Sequence, residues 1–204
     1  MSEMTAAAPP VHTNAMVKAI AVGVALGLIA QVLRQVPGQT MQFGAATAPW
    51  LSIGFALAVW AVRLRAPGRV LIGYLMAWLV AYHLLFALGQ SVALSAAFRE
   101  ALPWLILALP VCLVLARVAT LATASGAIAD LCLAVPIAWS VPETLENVQR
   151  GDIVVAAAIA LLAFLPLAAS QRRDIRLLTF VIGAVVLGGL AVLVGPVVRG
   201  QIHS

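Results

Sequence analysis

Charge is scarce in this chain of 204 residues: Asp, Glu, Lys and Arg together make up only 9% of it, where a soluble domain usually carries about 25%. That shortage excludes a water-soluble fold, because too few ionised side chains are present to coat a surface. Lysine is nearly absent, Lys18 standing alone, so the last apolar segment has no lysine for a retinal Schiff base and a microbial rhodopsin is excluded. Cysteine is limited to Cys112 and Cys132. Both fall in apolar stretches without CxxC spacing and read as small hydrophobes rather than as a disulfide or metal pair. Also missing are H-E-x-x-H, G-x-S-x-G, a phosphate-cradling glycine loop and any cysteine/histidine metal spacing. The chain is therefore not expected to be an enzyme, and neither a metal nor a cofactor is expected.

Apolar sequence is what remains. Hydrophobic residues make up 64% of the chain and the mean hydropathy is +1.09. Seven apolar stretches cover most of the length: residues 15–36, 48–62, 70–90, 102–116, 118–141, 153–169 and 175–198. In lipid an unpaired backbone N–H or C=O costs several kcal/mol, so a continuous apolar run of about 20 residues reads as a spanning helix. The expected fold is all-α: a polytopic bundle of seven spans, or six if one weak segment fails to cross. A polar tail at 1–14, a single transmembrane domain at 15–198 and a tail at 199–204 make up the expected organisation. The polar start before the first run is unlike a secretory signal, so that run is expected to be retained as a span.

Breaks between spans follow helix-breaking residues. Pro37-Gly38 ends the first helix, and the loop after it, 39–47, holds no ionisable residue. Pro49 opens the second helix, where a missing N–H is harmless. Residues 91–101 are mildly amphipathic and suit the membrane interface before Pro103. The fourth and fifth segments abut at Arg117, as either a tight hairpin or a broken, partly re-entrant pair, with Pro110 and Pro136 expected to kink them. Pro142 to Asp152 reads as an acidic loop. No solenoid repeat is visible, and seven spans do not divide into two equal inverted halves.

With the N-terminus in the cytoplasm, Lys18, Arg63, Arg65, Arg69, Arg117, Arg172, Arg173 and Arg176 fall inside, eight basic residues against four outside, Arg34, Arg99, Arg150 and Arg199. The positive-inside rule favours this orientation, and it places Trp50, Trp104 and Trp139 in an outer aromatic belt. The net charge of +5 is spread over short loops rather than gathered in a stripe, so nucleic acid is not an expected partner. The expected setting is the lipid bilayer of the cell membrane.

Asp130, near the centre of the fifth apolar segment, draws attention because an ionisable group at membrane depth is costly unless paired, hydrated or neutralised. It is either a structural acid bonded to a neighbour through Ser125 or Thr123, or a ligand for a proton, a cation or a substrate amine. His83 lies in the run Trp78, Tyr82, His83, Phe86, Gln90, with His83, Phe86 and Gln90 sharing a helical face. Gln31 and Arg34, three apart, are neighbours on the first helix, and Arg34 either snorkels to the interface or joins a site. These groups share a middle-to-outer depth, and an ion- or substrate-binding site of Asp130, His83, Gln31, Arg34 and Tyr82 is expected there. Ala21, Gly23, Ala25 and Gly27 allow close backbone approach, either for packing inside the bundle or as a surface for a second copy or a transporter partner subunit.

Two resemblances accompany these readings. Gly27-Leu28-Ile29, the Pro37-Gly38 break and Ala48-Pro49-Trp50-Leu51 resemble an uncharacterised family of small multi-pass membrane proteins from actinobacterial-type genomes. Ala21 and Ala25 in Ala-x-x-x-Ala spacing, the uncharged loop after the first helix and the chain length resemble substrate-binding S components of energy-coupling-factor vitamin transporters. That second resemblance implies helix-one alanines facing a coupling subunit and a first outer loop that closes over the ligand. Together these readings point to transport of a small solute or ion, or to the membrane subunit of a transporter. The alternative is a structural or regulatory membrane subunit without a ligand of its own.

Overall fold

The computed structural model describes residues 11–202 except 173, with side chains described between 14 and 193. The described residues form helices and no strand. In chain order they are α1 (Val11–Gln35), the short α2 (Gln39–Ala45), α3 (Ala48–Ala61), α4 (Pro67–Gly89), α5 (Leu94–Ala122), α6 (Ala127–Gln149), α7 (Ile153–Leu162), α8 (Leu165–Ser170) and α9 (Leu177–Ile202). Five stretches are long and apolar enough to cross a membrane: α1 from Asn14, α4, α5, α6 and the α7–α8 pair as Ile153–Ser170. A sixth is counted where α2 and the α3 segment, bent by 48° to each other, act as one span, and the apolar part of α9, Leu177–Leu193, is shorter. An all-α bundle of apolar helices is thus the architecture, and it marks an integral membrane protein. Residues 1–10 and 203–204, in the two expected tails, lie outside the described residues.

Small residues set the tightest crossing. On α1, Gly23 and Gly27 are buried against α4, and a Cβ at either would overlap the carbonyl oxygen of Tyr74 or Trp78. A spacing of four on each helix keeps both pairs on facing sides, so the backbones approach where no side chain intervenes. The buried core runs through Phe55, Ala58 and Val59 of α3, Val70, Leu71 and Tyr74 of α4, Cys112 and Ala119 of α5, and Leu133 and Ala134 of α6. Gly183 and Gly188 bring α9 onto Leu131, Ala134 and Val141 of α6.

Several expected boundaries are corrected. The fourth and fifth segments do not meet at Arg117: α5 runs unbroken through it to Ala122, and the turn lies at 123–126, where Gly126 has φ 100°. The interfacial segment expected at 91–101 is the first part of the same helix, with Pro103 and Pro110 inside it. At 1.5 Å per residue α5 is roughly 43 Å long, longer than the hydrocarbon core of about 30 Å, so it must tilt or project. The expected acidic loop is mostly helix, since α6 continues through Pro142, Glu143 and Glu146 to Gln149. Proline removes one hydrogen bond but its φ suits a helix, and charges near a helix end reach water. The sixth expected helix is broken between α7 and α8 at Ala163–Phe164, just before Pro166, whose missing N–H leaves the Leu162 carbonyl without its i−4 donor. The outer tryptophan belt is reduced to Trp104, which is exposed; Trp50 is buried, and Trp139 donates to Ser52 Oγ at 3.2 Å inside the bundle.

Candidate functional site

Gln31 and Arg34 sit in the last turns of α1, next to the second half of α4, where Trp78 and Tyr82 are four apart and face the same way. The first turn of α3 adds Trp50, and α2 lays Phe43 over them. These rings form a continuous chain. Phe43 meets Trp50 edge-on at 5.5 Å between centroids, Trp50 stacks on Trp78 at 6.2 Å, Trp78 on Tyr82 at 5.5 Å, and Tyr82 meets His83 edge-on at 5.3 Å. Such offset and T-shaped contacts are the favoured aromatic arrangements. Arg34 donates to the Tyr82 hydroxyl, and its guanidinium carbon lies 5.8 Å from the ring centroid. The Tyr74 hydroxyl donates to the Trp50 carbonyl at 2.9 Å and fixes the start of α3.

Within this cluster Gln31 is 1% exposed and Trp50 3%, yet Gln31 Oε1, Trp50 Nε1 and Trp78 Nε1 have no hydrogen-bond partner. Each such orphaned polar atom costs about 1–3 kcal/mol. The three belong to three different helices, α1, α3 and α4.

The α2 segment roofs the cluster and is tied down from both sides. Gly44 lies so close to α1 that a Cβ there would come within 2.5 Å of the Ala30 carbonyl oxygen and the Arg34 nitrogen. Arg150 donates to Gln42 Oε1 at 2.9 Å and pairs with Glu146 at 2.5 Å. The Glu143 carboxylate accepts the Thr47 N–H at 3.0 Å and the Ala48 N–H at 2.9 Å, satisfying free donors at the start of α3 and complementing its dipole.

Gln31, Arg34, Tyr82 and His83 are therefore together, as the sequence suggests, and Asp130 is not with them. Asp130 lies in the first turn of α6, not at mid-membrane. The cluster draws on the middle and second half of α4, whereas Asp130 lies just past the turn that follows the far end of α5. Its partner is neither Ser125 nor Thr123. Arg172, from the stretch between α8 and α9, pairs with Asp130 at 2.9 Å, the side chains being 6% and 0% exposed, and the Arg176 N–H donates to Asp130 Oδ2 at 3.3 Å. Arg172 also binds Asp174 at 3.2 Å, and that hydrogen bond holds the exposed Asp174 carboxyl below its ordinary range. The pair docks the stretch before α9 onto α6. Of the remaining sequence candidates, Phe86 is half-buried and Gln90 is exposed at the end of α4.

The small-residue set on α1 splits in two. Gly23 and Gly27 face α4, whereas Ala21 and Ala25 are exposed on another side of the helix. Sequence reasoning missed the indole donors of Trp50 and Trp78, the Glu143 cap, the Gln42–Arg150 tie and the role of Arg172. Only the indoles had a local signal, Trp50 at the start of one apolar segment and Trp78 inside another; the others depend on contacts between distant segments. Among the described residues no three His, Cys, Asp or Glu side chains gather as a metal site.

Compared with family models, with curated proteins and with solved structures, the chain matches none.

Proposed function

We propose that this integral membrane protein binds a small solute beneath α2, among Gln31, Arg34, Trp50, Trp78, Tyr82 and His83, and moves it across the cell membrane, alone or as the membrane subunit of a transporter. The observation that carries the reading is the set of orphaned atoms Gln31 Oε1, Trp50 Nε1 and Trp78 Nε1 in a buried cluster. The uncharged α2 segment supports it: the rings beneath are in contact, so a solute enters by displacing α2, which one side-chain hydrogen bond, Arg150 to Gln42, and the packing of Phe43 and Gly44 hold in place. The resemblance to S components of energy-coupling-factor transporters points the same way, as does the exposure of Ala21 and Ala25, the face that resemblance assigns to a partner subunit.

A structural subunit without a ligand predicts the opposite effect for one substitution. If Gln31 serves packing alone, replacing it with leucine lowers stability. On the solute-binding reading Gln31→Leu relieves an unmet acceptor, so it raises stability by about 1–3 kcal/mol while abolishing binding. The check is a thermal-unfolding screen of the purified protein against a library of small metabolites, repeated on the variant. No stabilising compound for the native chain, or a Gln31→Leu protein less stable than it, overturns the proposal.

The orientation follows from the basic asymmetry of the connections, with the cluster end outside. In a background free of Cys112 and Cys132, a cysteine at the exposed Arg63 is expected to resist an impermeant thiol reagent in intact cells, and one at Gly151 to react. Labelling at position 63 from outside reverses the orientation.

A further inference from the structure

Hydrogen-bonding groups at the cluster are unequally divided between donors and acceptors. The indole N–H groups of Trp50 and Trp78 only donate, and both are buried without an acceptor. The Arg34 guanidinium only donates as well, and among the described residues its partner is the neutral Tyr82 hydroxyl rather than a carboxylate. Against these stand one orphaned acceptor, Gln31 Oε1, one ring nitrogen of His83, and a Tyr82 oxygen already engaged by Arg34. Two of the nearby acidic groups have partners elsewhere. Glu143 caps α3, Glu146 pairs with Arg150, and Glu100 is exposed on α5. The roof over the cluster, Gln39–Ala45, has no ionisable residue, so an incoming anion meets no like charge there.

We infer that the solute of this site is a small organic monocarboxylate with an apolar or aromatic body. Its carboxylate takes the guanidinium of Arg34 and the indole N–H groups of Trp50 and Trp78, while its body packs on the Phe43–Trp50–Trp78–Tyr82 rings. The inference rests on the solute-binding reading above and adds the ligand's charge and shape. A planar guanidinium fork matches a carboxylate in geometry as well as charge, and charge-assisted hydrogen bonds are about twice as strong as neutral ones. A cation is disfavoured by the free donors and by Arg34, despite the ring faces. A sugar or other neutral polyol would forgo the charge-assisted hydrogen bonds that Arg34 offers.

The test uses the full chain in lipid nanodiscs and three matched acid–amide pairs: benzoate and benzamide, indole-3-acetate and indole-3-acetamide, hexanoate and hexanamide. Each pair keeps the body and exchanges a carboxylate for a neutral group, with dissociation constants read from ligand-dependent thermal unfolding. At least one acid is expected to bind tenfold or more tightly than its amide, and Arg34→Gln to narrow that preference to threefold or less. Trp78→Phe keeps an aromatic ring and removes the donor, so it covers the case in which Arg34→Gln fails to fold; it should weaken the acid threefold or more and the amide by less, because the bond to the neutral carbonyl is the weaker one. Equal binding of acid and amide, an acid preference that survives in both variants, or failure of all three acids overturns the inference. If the metabolite screen has meanwhile found a neutral or cationic ligand that Gln31→Leu abolishes, solute binding stands and only the anion assignment falls.

Discussion

Gly27→Leu is expected to prevent recovery of a folded monomer. The atoms that a side chain at this position meets are the Trp78 carbonyl and the Ala81 Cβ of α4, and a helix backbone moves aside only if the whole crossing opens. Overpacking that side chains can absorb costs about 1–3 kcal/mol; here no flexible group can yield, so the loss exceeds that range. Gly23→Leu meets the Tyr74 carbonyl in the same way. Ala21→Leu is the control, because Ala21 points away from α4 and is exposed. It is expected to leave monomer stability unchanged and to alter only the recovery of a partner that packs on that face. Size-exclusion profiles and melting temperatures of the three variants decide the matter, and a Gly27→Leu protein that elutes and melts like the native chain overturns the packing account.

The second large effect is expected at the opposite end. Asp130→Asn leaves the buried Arg172 guanidinium with only the exposed Asp174, and breaking a buried pair by removing one partner typically costs about 3–5 kcal/mol. Replacing both partners by leucine is expected to recover most of that loss, since no uncompensated charge then remains, and the double-mutant cycle measures the coupling. The folded fraction of Asp130→Asn should bind a solute at the cluster as the native chain does, because the partners of Asp130, Arg172 and the Arg176 N–H, are not members of the cluster. Wild-type stability with lost binding is the result that returns Asp130 to the solute site.

These two predictions also separate what local sequence can reveal from what it cannot. The expected closeness of Gln31, Arg34, Tyr82 and His83 was legible because each lies near the same end of an apolar segment, and consecutive membrane helices alternate direction. Asp130 was misplaced because its depth was measured from a segment boundary at Arg117, and no local signal marks where an apolar run continues as helix. The cluster at 123–126 of Thr, Ala, Ser and Gly was the better boundary, since these residues favour turns and Gly126 has a positive φ. The same reasoning failed at 142–149, where charge and proline suggested a loop and the chain stayed helical.

Membrane residence and the all-helical class were determined by the sequence alone, because apolar length and the need to satisfy backbone polar groups are properties of each segment by itself. Which face of α1 is internal, which carboxylate meets Arg172, and which indoles are left without acceptors were decided only by the tertiary structure. Each depends on the rotation and axial position of one helix against another, and those are set by the sum of many contacts between residues far apart in the chain.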